Sequence, residues 1–120
     1  MIYLLLVAHG SRREASNEEI RQLAKKTGTI SSAYDKVRCA FLELAEPSIP
    51  DGIRNCIKDG ASKVVVLPCF LSAGRHVTTD IPEEVEIVRG EYPDIEISLA
   101  SYIGLSEDLI SLILNLAGKA

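Results

Sequence analysis

The chain has 120 residues, 13 basic and 17 acidic side chains, a net charge of −4 and 47% apolar residues. These values are typical of one folded domain, which we expect to span residues 1–120, and they exclude a disordered chain. The acidic balance argues against a nucleic-acid or anionic-membrane partner, since phosphate binding requires a basic surface. A pocket for a large ligand, roughly 300–1,000 Å³, would occupy much of so small a molecule.

The cysteines and the hydropathy of the chain both favour a cytoplasmic location. Cys39, Cys56 and Cys69 are odd in number and match no CxxC spacing, so free thiols in a reducing compartment are expected. No apolar run reaches the ~18 residues of a membrane span. The apolar segment Met1–Ala8 lacks the positive start and the cleavage site of a signal peptide.

The first half of the chain predicts two strands, each followed by a helix. Ile2–Ala8 is a continuous apolar run, typical of a strand buried on both faces, and helical spacing of apolar residues follows over Glu14–Lys26. Val37–Glu43 predicts the second strand. Ser48 is a good N-cap for the next helix, which we expect to end at Gly60.

The second half repeats this alternation twice. Lys63–Leu67 predicts a strand, and a loop then leads to a helix over Asp80–Gly90. Ile95–Ala100 predicts the last strand and Glu107–Leu116 the last helix. Strands separated by helices imply right-handed crossovers. The expected fold is therefore α/β, a four-stranded parallel sheet with helices on both faces.

Three residues with metal-binding side chains follow predicted strands. His9, Glu43 and His76 all fall at the carboxyl edge of the sheet, where open parallel sheets bind ligands. A single histidine is more often structural, but two at one edge with a carboxylate favour a site for Co, Ni, Fe or Zn. Glu43 has a second interpretation, as a cap for the helix near Ser48, and the spacing leaves both open.

Other residues at this edge suit an anionic ligand. Arg12, Arg13 and Arg75 could meet its carboxylates, although solvated arginines are the alternative for each one. Gly10 and Gly74 allow close approach of the backbone, or a turn. The sequence contains neither GxxxxGK[ST] nor GxGxxG, so no ATP or dinucleotide chemistry is expected.

The predicted last helix is apolar nearly all round, which implies burial on more than one side. Either a deep core or another subunit would provide that burial. In so small a domain, a subunit interface is favoured.

Three segments in this order resemble a known family. They are Leu-Val-Ala-His9-Gly-Ser-Arg, Phe41-Leu-Glu43-Leu-Ala-Glu-Pro47, and Pro68-Cys-Phe70-Leu71-Ser-Ala-Gly74-Arg-His76-Val-Thr-Thr-Asp80. Together they are similar to the class II tetrapyrrole chelatases, and specifically to the small form of the sirohydrochlorin cobaltochelatases. Sirohydrochlorin nickelochelatases and ferrochelatases are close relatives of that form.

The resemblance implies a single chelatase-like (flavodoxin-like) half-domain that inserts a divalent metal into sirohydrochlorin without ATP. The implied metal is Co²⁺, for anaerobic cobalamin biosynthesis; the alternatives are Ni²⁺ or Fe²⁺, for coenzyme F430 or siroheme. His9 and His76 match the histidines that bind the metal and accept pyrrole protons, and Glu43 matches a glutamate near that site.

The resemblance also implies how the substrate is held. Arg12, Arg13 and Arg75 are candidates for its carboxylates, and Phe70 and Leu71 for the face of the macrocycle. Ser11 and Gly74 belong to the same two loops and join the expected substrate-binding set. Longer family members contain two such domains, so a homodimer of this chain is expected.

Two other functions compete with this interpretation. A phosphoryl-transfer enzyme with a histidine nucleophile needs an arginine before that histidine, where this chain has Ala8. A non-catalytic metal-binding module would share the histidines but has no need of arginines and an apolar loop at the same edge.

Overall fold

Strands and helices alternate along the chain, as the sequence predicts. The computed structural model describes residues 1–120. Its elements are β1 (Ile2–Ala8), α1 (Glu14–Ile30), β2 (Lys36–Phe41), α2 (Ile49–Lys58), β3 (Lys63–Pro68), a π-helical turn (His76–Asp80), α3 (Ile81–Glu91), β4 (Glu96–Leu99), a 3₁₀ turn (Ile103–Leu105) and α4 (Asp108–Gly118).

Two predicted boundaries need correction. Helix α1 continues beyond Lys26 to Ile30, so that Gly28 lies inside the helix and faces Val37 of β2 instead of ending the helix. Strand β2 ends at Phe41 and not at Glu43, because the chain turns sharply at Leu44, whose φ is +64°. The other predicted helix and strand ends agree to within two residues.

The sheet is entirely parallel and has the strand order β2-β1-β3-β4. The connection through α1 places β2 on one side of β1, and the connection through α2 then passes back over β1 and places β3 on its other side. The winding therefore reverses between β1 and β3, the two central strands. In open parallel sheets, the crevice beyond such a reversal is where ligands bind. The loops that leave β1 and β3 therefore flank the expected binding edge.

The two faces of the sheet are covered unequally. Helices α2 and α3 enclose a core of fourteen buried residues on one face, whereas α1 covers a smaller cluster, Leu4, Leu6 and Ala24, on the other. Helix α4 has no buried residue and lies beside the 3₁₀ turn. The apolar last helix is thus not part of a deep core, which removes one of the two explanations for its composition.

The cysteines and the lengths of the helices also bear on the sequence-based expectations. All three cysteines are free thiols, as expected. None of the helices is both long enough and apolar enough to span a membrane.

Candidate functional site

The loop after β1 is held from behind by a buried side chain. Ser11 N–H donates to Asn17 Oδ1 over 2.9 Å, and Asn17 Nδ2 donates to the Ser11 carbonyl over 2.8 Å. Asn17 is only 2% exposed, and burial strengthens the preference for satisfied hydrogen bonds. The Ser11 hydroxyl accepts from Arg13 N–H at the start of α1. These bonds fix the backbone that carries His9.

The loops after β1 and β2 are joined by their backbones. Glu43 N–H donates to the His9 carbonyl over 3.0 Å, one step beyond the last paired residues of the strands. Gly10 makes this approach possible: its φ is +92°, and a Cβ there would lie 1.8 Å from the Glu43 carbonyl oxygen. Gly10 therefore permits the close approach of the loop that follows β2.

This junction brings two of the candidate site residues together. His9 Nε2 lies 3.2 Å from Glu43 Oε1, and both side chains are about half exposed. The recorded partner of Glu43 is thus His9, while α2 is capped by Ser48, whose hydroxyl accepts from Asp51 N–H. Glu43 lies beyond the end of β2 on an exposed turn, and not within the strand, where the predicted segment Val37–Glu43 had placed it.

The π-helical turn brings the second histidine to the first. The rings of His9 and His76 have centroids 4.9 Å apart at an interplanar angle of 68°. His76 Nδ1 lies 2.8 Å from Asp80 Oδ2, across one turn of this segment. The Gly74 carbonyl accepts from two backbone N–H groups of the turn, and the space where a Gly74 side chain would lie is empty.

The hydrogen-bond partners assign the ring protons of both histidines. His9 Nδ1 lies 3.0 Å from the Gly10 carbonyl and His76 Nδ1 contacts the Asp80 carboxylate; both partners accept, so both Nδ1 atoms donate. In the neutral rings, each Nε2 then carries a lone pair. His9 Nε2 faces a Glu43 oxygen, an arrangement that is favourable only with a cation, either a proton or a metal ion, between them.

An acidic cleft of about 230 Å³ opens beside these rings. It is lined by Leu42, Glu43, His76, Asp80, Glu83 and Glu84. Burial, and secondarily the nearby Asp80 carboxylate, raises the pKa of Glu84 above its ordinary value. No group of three or more His, Cys, Asp or Glu side chains has a geometry that holds a metal ion in this conformation.

The acidic lining of this cleft is not among the features that the sequence predicts. In the sequence, Asp80 belongs to the third segment of the resemblance, and together with Glu83 and Glu84 it falls at the start of a predicted helix, where acidic residues are common. The available signal was the spacing of Asp80, four residues after His76, which places two side chains on one face of a helical turn.

The predicted substrate-binding residues lie around the same edge. Arg12, Arg13, Leu71 and Arg75 are exposed, and Arg13 Nη1 donates to the Ser16 hydroxyl. Phe70, in contrast, is partly buried and packs on the core under α2 and α3. The two neighbouring apolar residues of this loop therefore differ, since Phe70 anchors it and Leu71 is 73% exposed.

Gly104, which is not among the predicted site residues, fixes the loop that contains Phe70 and Leu71. Gly104 N–H donates to the Phe70 carbonyl over 3.0 Å. A Cβ on Gly104 would lie 1.8 Å from the Leu71 carbonyl oxygen, so no other residue permits the approach without a shift of the backbone.

Cys69 follows β3 at this edge but is poorly suited to bind a metal. Its burial raises the pKa of the thiol to about 11, and only the thiolate is a good metal ligand. The side chains at this edge that remain as candidate metal ligands are therefore imidazoles and carboxylates.

Comparisons with known proteins show the family and the fold. A family model described as CbiX matches residues 3–120. A sirohydrochlorin ferrochelatase of Bacillus subtilis (strain 168) is 36% identical over 92% of this chain and 42% of its own length. A sirohydrochlorin cobaltochelatase of Methanococcus maripaludis is 40% identical over 73% of this chain and 60% of its own length. The crystal structure of a CbiX protein from Marinobacter aquaeolei VT8 matches with a TM-score of 0.85 and 30% identity, over 99% of this chain and 96% of that one.

The matched proteins differ in length. The chain spans less than two thirds of the first curated relatives it matches, and nearly all of the Marinobacter protein. The family model covers almost every residue, and the solved structure has the same fold from end to end. The chain belongs to the CbiX family.

Proposed function

We propose that residues 1–120 act as one chelatase domain that inserts a divalent metal ion into sirohydrochlorin without ATP. The single observation that carries this proposal is the juxtaposition of His9, Glu43 and His76 at the reversal of the sheet winding. Two imidazoles with free Nε2 lone pairs and an exposed carboxylate suit a metal that is bound and then passed on.

The reaction consumes one M²⁺ ion and the macrocycle with its two pyrrole N–H groups, and gives the metallated macrocycle and two protons. Each Nε2 lone pair can ligate the incoming metal and, once a ring nitrogen replaces it, accept one proton. The protonated His9 is then stabilised by the Glu43 carboxylate, 3.2 Å away. Histidine suits this exchange because its ordinary pKa lies near neutrality.

The exposed arginines support binding of a substrate with many carboxylates. Arg12 and Arg13 extend from the loop after β1, and Arg75 lies directly before His76. A guanidinium can bind a carboxylate in a bidentate manner, which fixes orientation as well as charge. We assign Leu71 to the face of the macrocycle, with Phe70 supporting it, and Ser11 and Gly74 to the backbone that surrounds the substrate.

Co²⁺ is our first choice of metal, and anaerobic cobalamin biosynthesis the pathway. The relatives include cobaltochelatases and ferrochelatases, and imidazole with carboxylate accepts Co²⁺, Ni²⁺ and Fe²⁺ alike. Insertion of nickel or iron, for coenzyme F430 or siroheme, is therefore the alternative.

The test is anaerobic incubation of the protein with sirohydrochlorin and each metal in turn, followed by visible absorption. We expect metal insertion well above the uncatalysed rate, and loss of most of that rate in His76→Ala and His9→Ala. Lys25→Ala, an exposed change on α1 away from this edge, is the matched control. A rate equal to the uncatalysed one with every metal would refute the proposal, and metal binding without any spectral change would indicate a metal-binding module.

We also propose that the chain acts as a homodimer in the cytoplasm. Helix α4 exposes large apolar side chains, among them Ile110, Ile113 and Leu114, each at least 55% exposed. Contiguous apolar surface of this kind typically marks an interface, and a second copy would close the open side of the site. Three free thiols fit a reducing compartment.

A further inference from the structure

We propose that Asp80 is a positioning residue that fixes the ring of His76 and keeps its Nε2 atom free for the metal and the proton. This inference rests on the proposed function, since it assigns a task to His76 in that reaction. Asp80 is not among the candidate site residues that the sequence predicts.

The geometry of the pair is that of an orienting hydrogen bond. His76 Nδ1 lies 2.8 Å from Asp80 Oδ2, and 34% of the Asp80 side chain is exposed. A carboxylate only accepts, so it holds the proton on Nδ1 and leaves the lone pair on Nε2. Histidines that bind metals usually donate their other ring N–H to such a partner, which sets the tautomer and raises basicity.

The local backbone explains why the two side chains meet. His76 opens the π-helical turn and Asp80 closes it, and the Ile81 N–H donates to the His76 carbonyl. This wider turn is uncommon, and single π turns are frequent at functional sites. The segment thereby delivers a histidine and its carboxylate partner together at the edge of the sheet.

A purely structural role for Asp80 is poorly supported. An aspartate before a helix usually caps it by accepting from a backbone N–H. Asp80 precedes α3, but its side chain makes no capping hydrogen bond. The first turn of α3 already contains Glu83 and Glu84, which suit the positive end of the helix. The Asp80 carboxylate instead accepts a hydrogen bond from His76 Nδ1.

The two histidines differ in a way that isolates this effect. His9 takes its Nδ1 partner from the backbone, the Gly10 carbonyl, which no side-chain substitution removes. His76 depends on a side chain. A change at Asp80 should therefore alter His76 alone and leave His9 as an internal reference in the same sample.

The test uses the full chain, metal-free and labelled with ¹⁵N-histidine, and long-range proton–nitrogen spectra that distinguish the two tautomers. We expect wild-type His76 in the Nδ1–H form, and Asp80→Ala to lose that preference while the His9 signals stay as they are in the wild type. Asp80→Asn should retain it, because the amide oxygen still accepts. Co²⁺ affinity by titration should fall about 10- to 100-fold in Asp80→Ala, the usual range for a lost orienting partner, and less in Asp80→Asn.

Asp94→Ala is the matched control, since Asp94 is an exposed aspartate in the turn before β4. An Nε2–H tautomer in the wild-type protein, or an unchanged His76 tautomer and Co²⁺ affinity in Asp80→Ala, would overturn the inference. If Asp80→Ala does not fold, the wild-type spectrum and the affinity of Asp80→Asn decide the question. A wild-type protein that lacks chelatase activity refutes the proposed function without changing the tautomer result, so the two failures are distinguishable.

Discussion

The two faces of the sheet differ in how completely the chain covers its own apolar surface. Under α2 and α3, side chains such as Ile53, Ile81 and Val85 are fully buried. On the other face, α1 covers a small cluster and α4 extends with large apolar residues exposed. One face is a finished core, and we interpret the other as a surface prepared for a second copy. The contrast separates the elements that stabilise the single chain from the helix that we propose for assembly, so that the two can be altered separately.

Ile53→Ala tests the finished face and has the largest expected effect. Ile53 is fully buried in α2, so the truncation removes apolar burial and leaves a cavity. The free energy of unfolding should fall by about 2–5 kcal/mol, as measured by urea denaturation. A loss below about 0.5 kcal/mol would show that this core does not carry the stability.

The double variant Ile110→Ser, Leu114→Ser tests the exposed helix and should have an intermediate effect. These residues are exposed, so the stability of the monomer should change by less than about 0.5 kcal/mol. Self-association, measured by sedimentation at several protein concentrations, should weaken strongly, because the apolar contact is lost. The control is Asn115→Ser on the same helix. A dimer of unchanged affinity would assign the interface elsewhere.

Glu91→Gln tests a contact at the rim of the finished face and has the smallest expected effect. Arg54 on α2 donates two hydrogen bonds, of 2.8 and 2.6 Å, to the Glu91 carboxylate on α3. These bonds hold the pKa of Glu91 below its ordinary value, so the contribution is present at neutral pH and is lost as the pH falls through the lowered pKa.

The thermal midpoint of Glu91→Gln should therefore be slightly lower than that of the wild type at pH 7, and the difference should disappear as the pH falls below the lowered pKa of Glu91. Melting curves at a series of pH values measure the difference. A deficit that persists in acid would show that the carboxylate acts through something other than its charge, such as packing.

The layout of the fold was predictable from the sequence because it depends on the alternation of strands and helices along the chain. Apolar runs separated by amphipathic segments dictate parallel strands, and parallel strands bring their following loops to one edge. That reasoning alone placed His9, Glu43 and His76 at the same edge. It required no knowledge of any side-chain contact.

The details of that edge depend on features that leave little trace in the sequence. Leu44 adopts a positive φ, which leucine disfavours, and this moves Glu43 out of the strand. The π-helical turn pairs His76 with Asp80, where a helix start was expected. Helix α4 has the composition of a buried helix but no burial within its own chain. Local preferences do not predict such outcomes, because tertiary packing overrides them.

The buried Asn17 amide has a consequence for altering this protein. It donates and accepts at the same residue, Ser11, as a neighbouring strand would. The loop that carries His9 is thus held by side-chain hydrogen bonds, although it lies outside the sheet. Aspartate has the same shape but no donor, and glutamine has the donor but a longer reach. The substitutions at His9 and Glu43 that test the proposed function can therefore be made without removing this support, provided that Asn17 is left as it is.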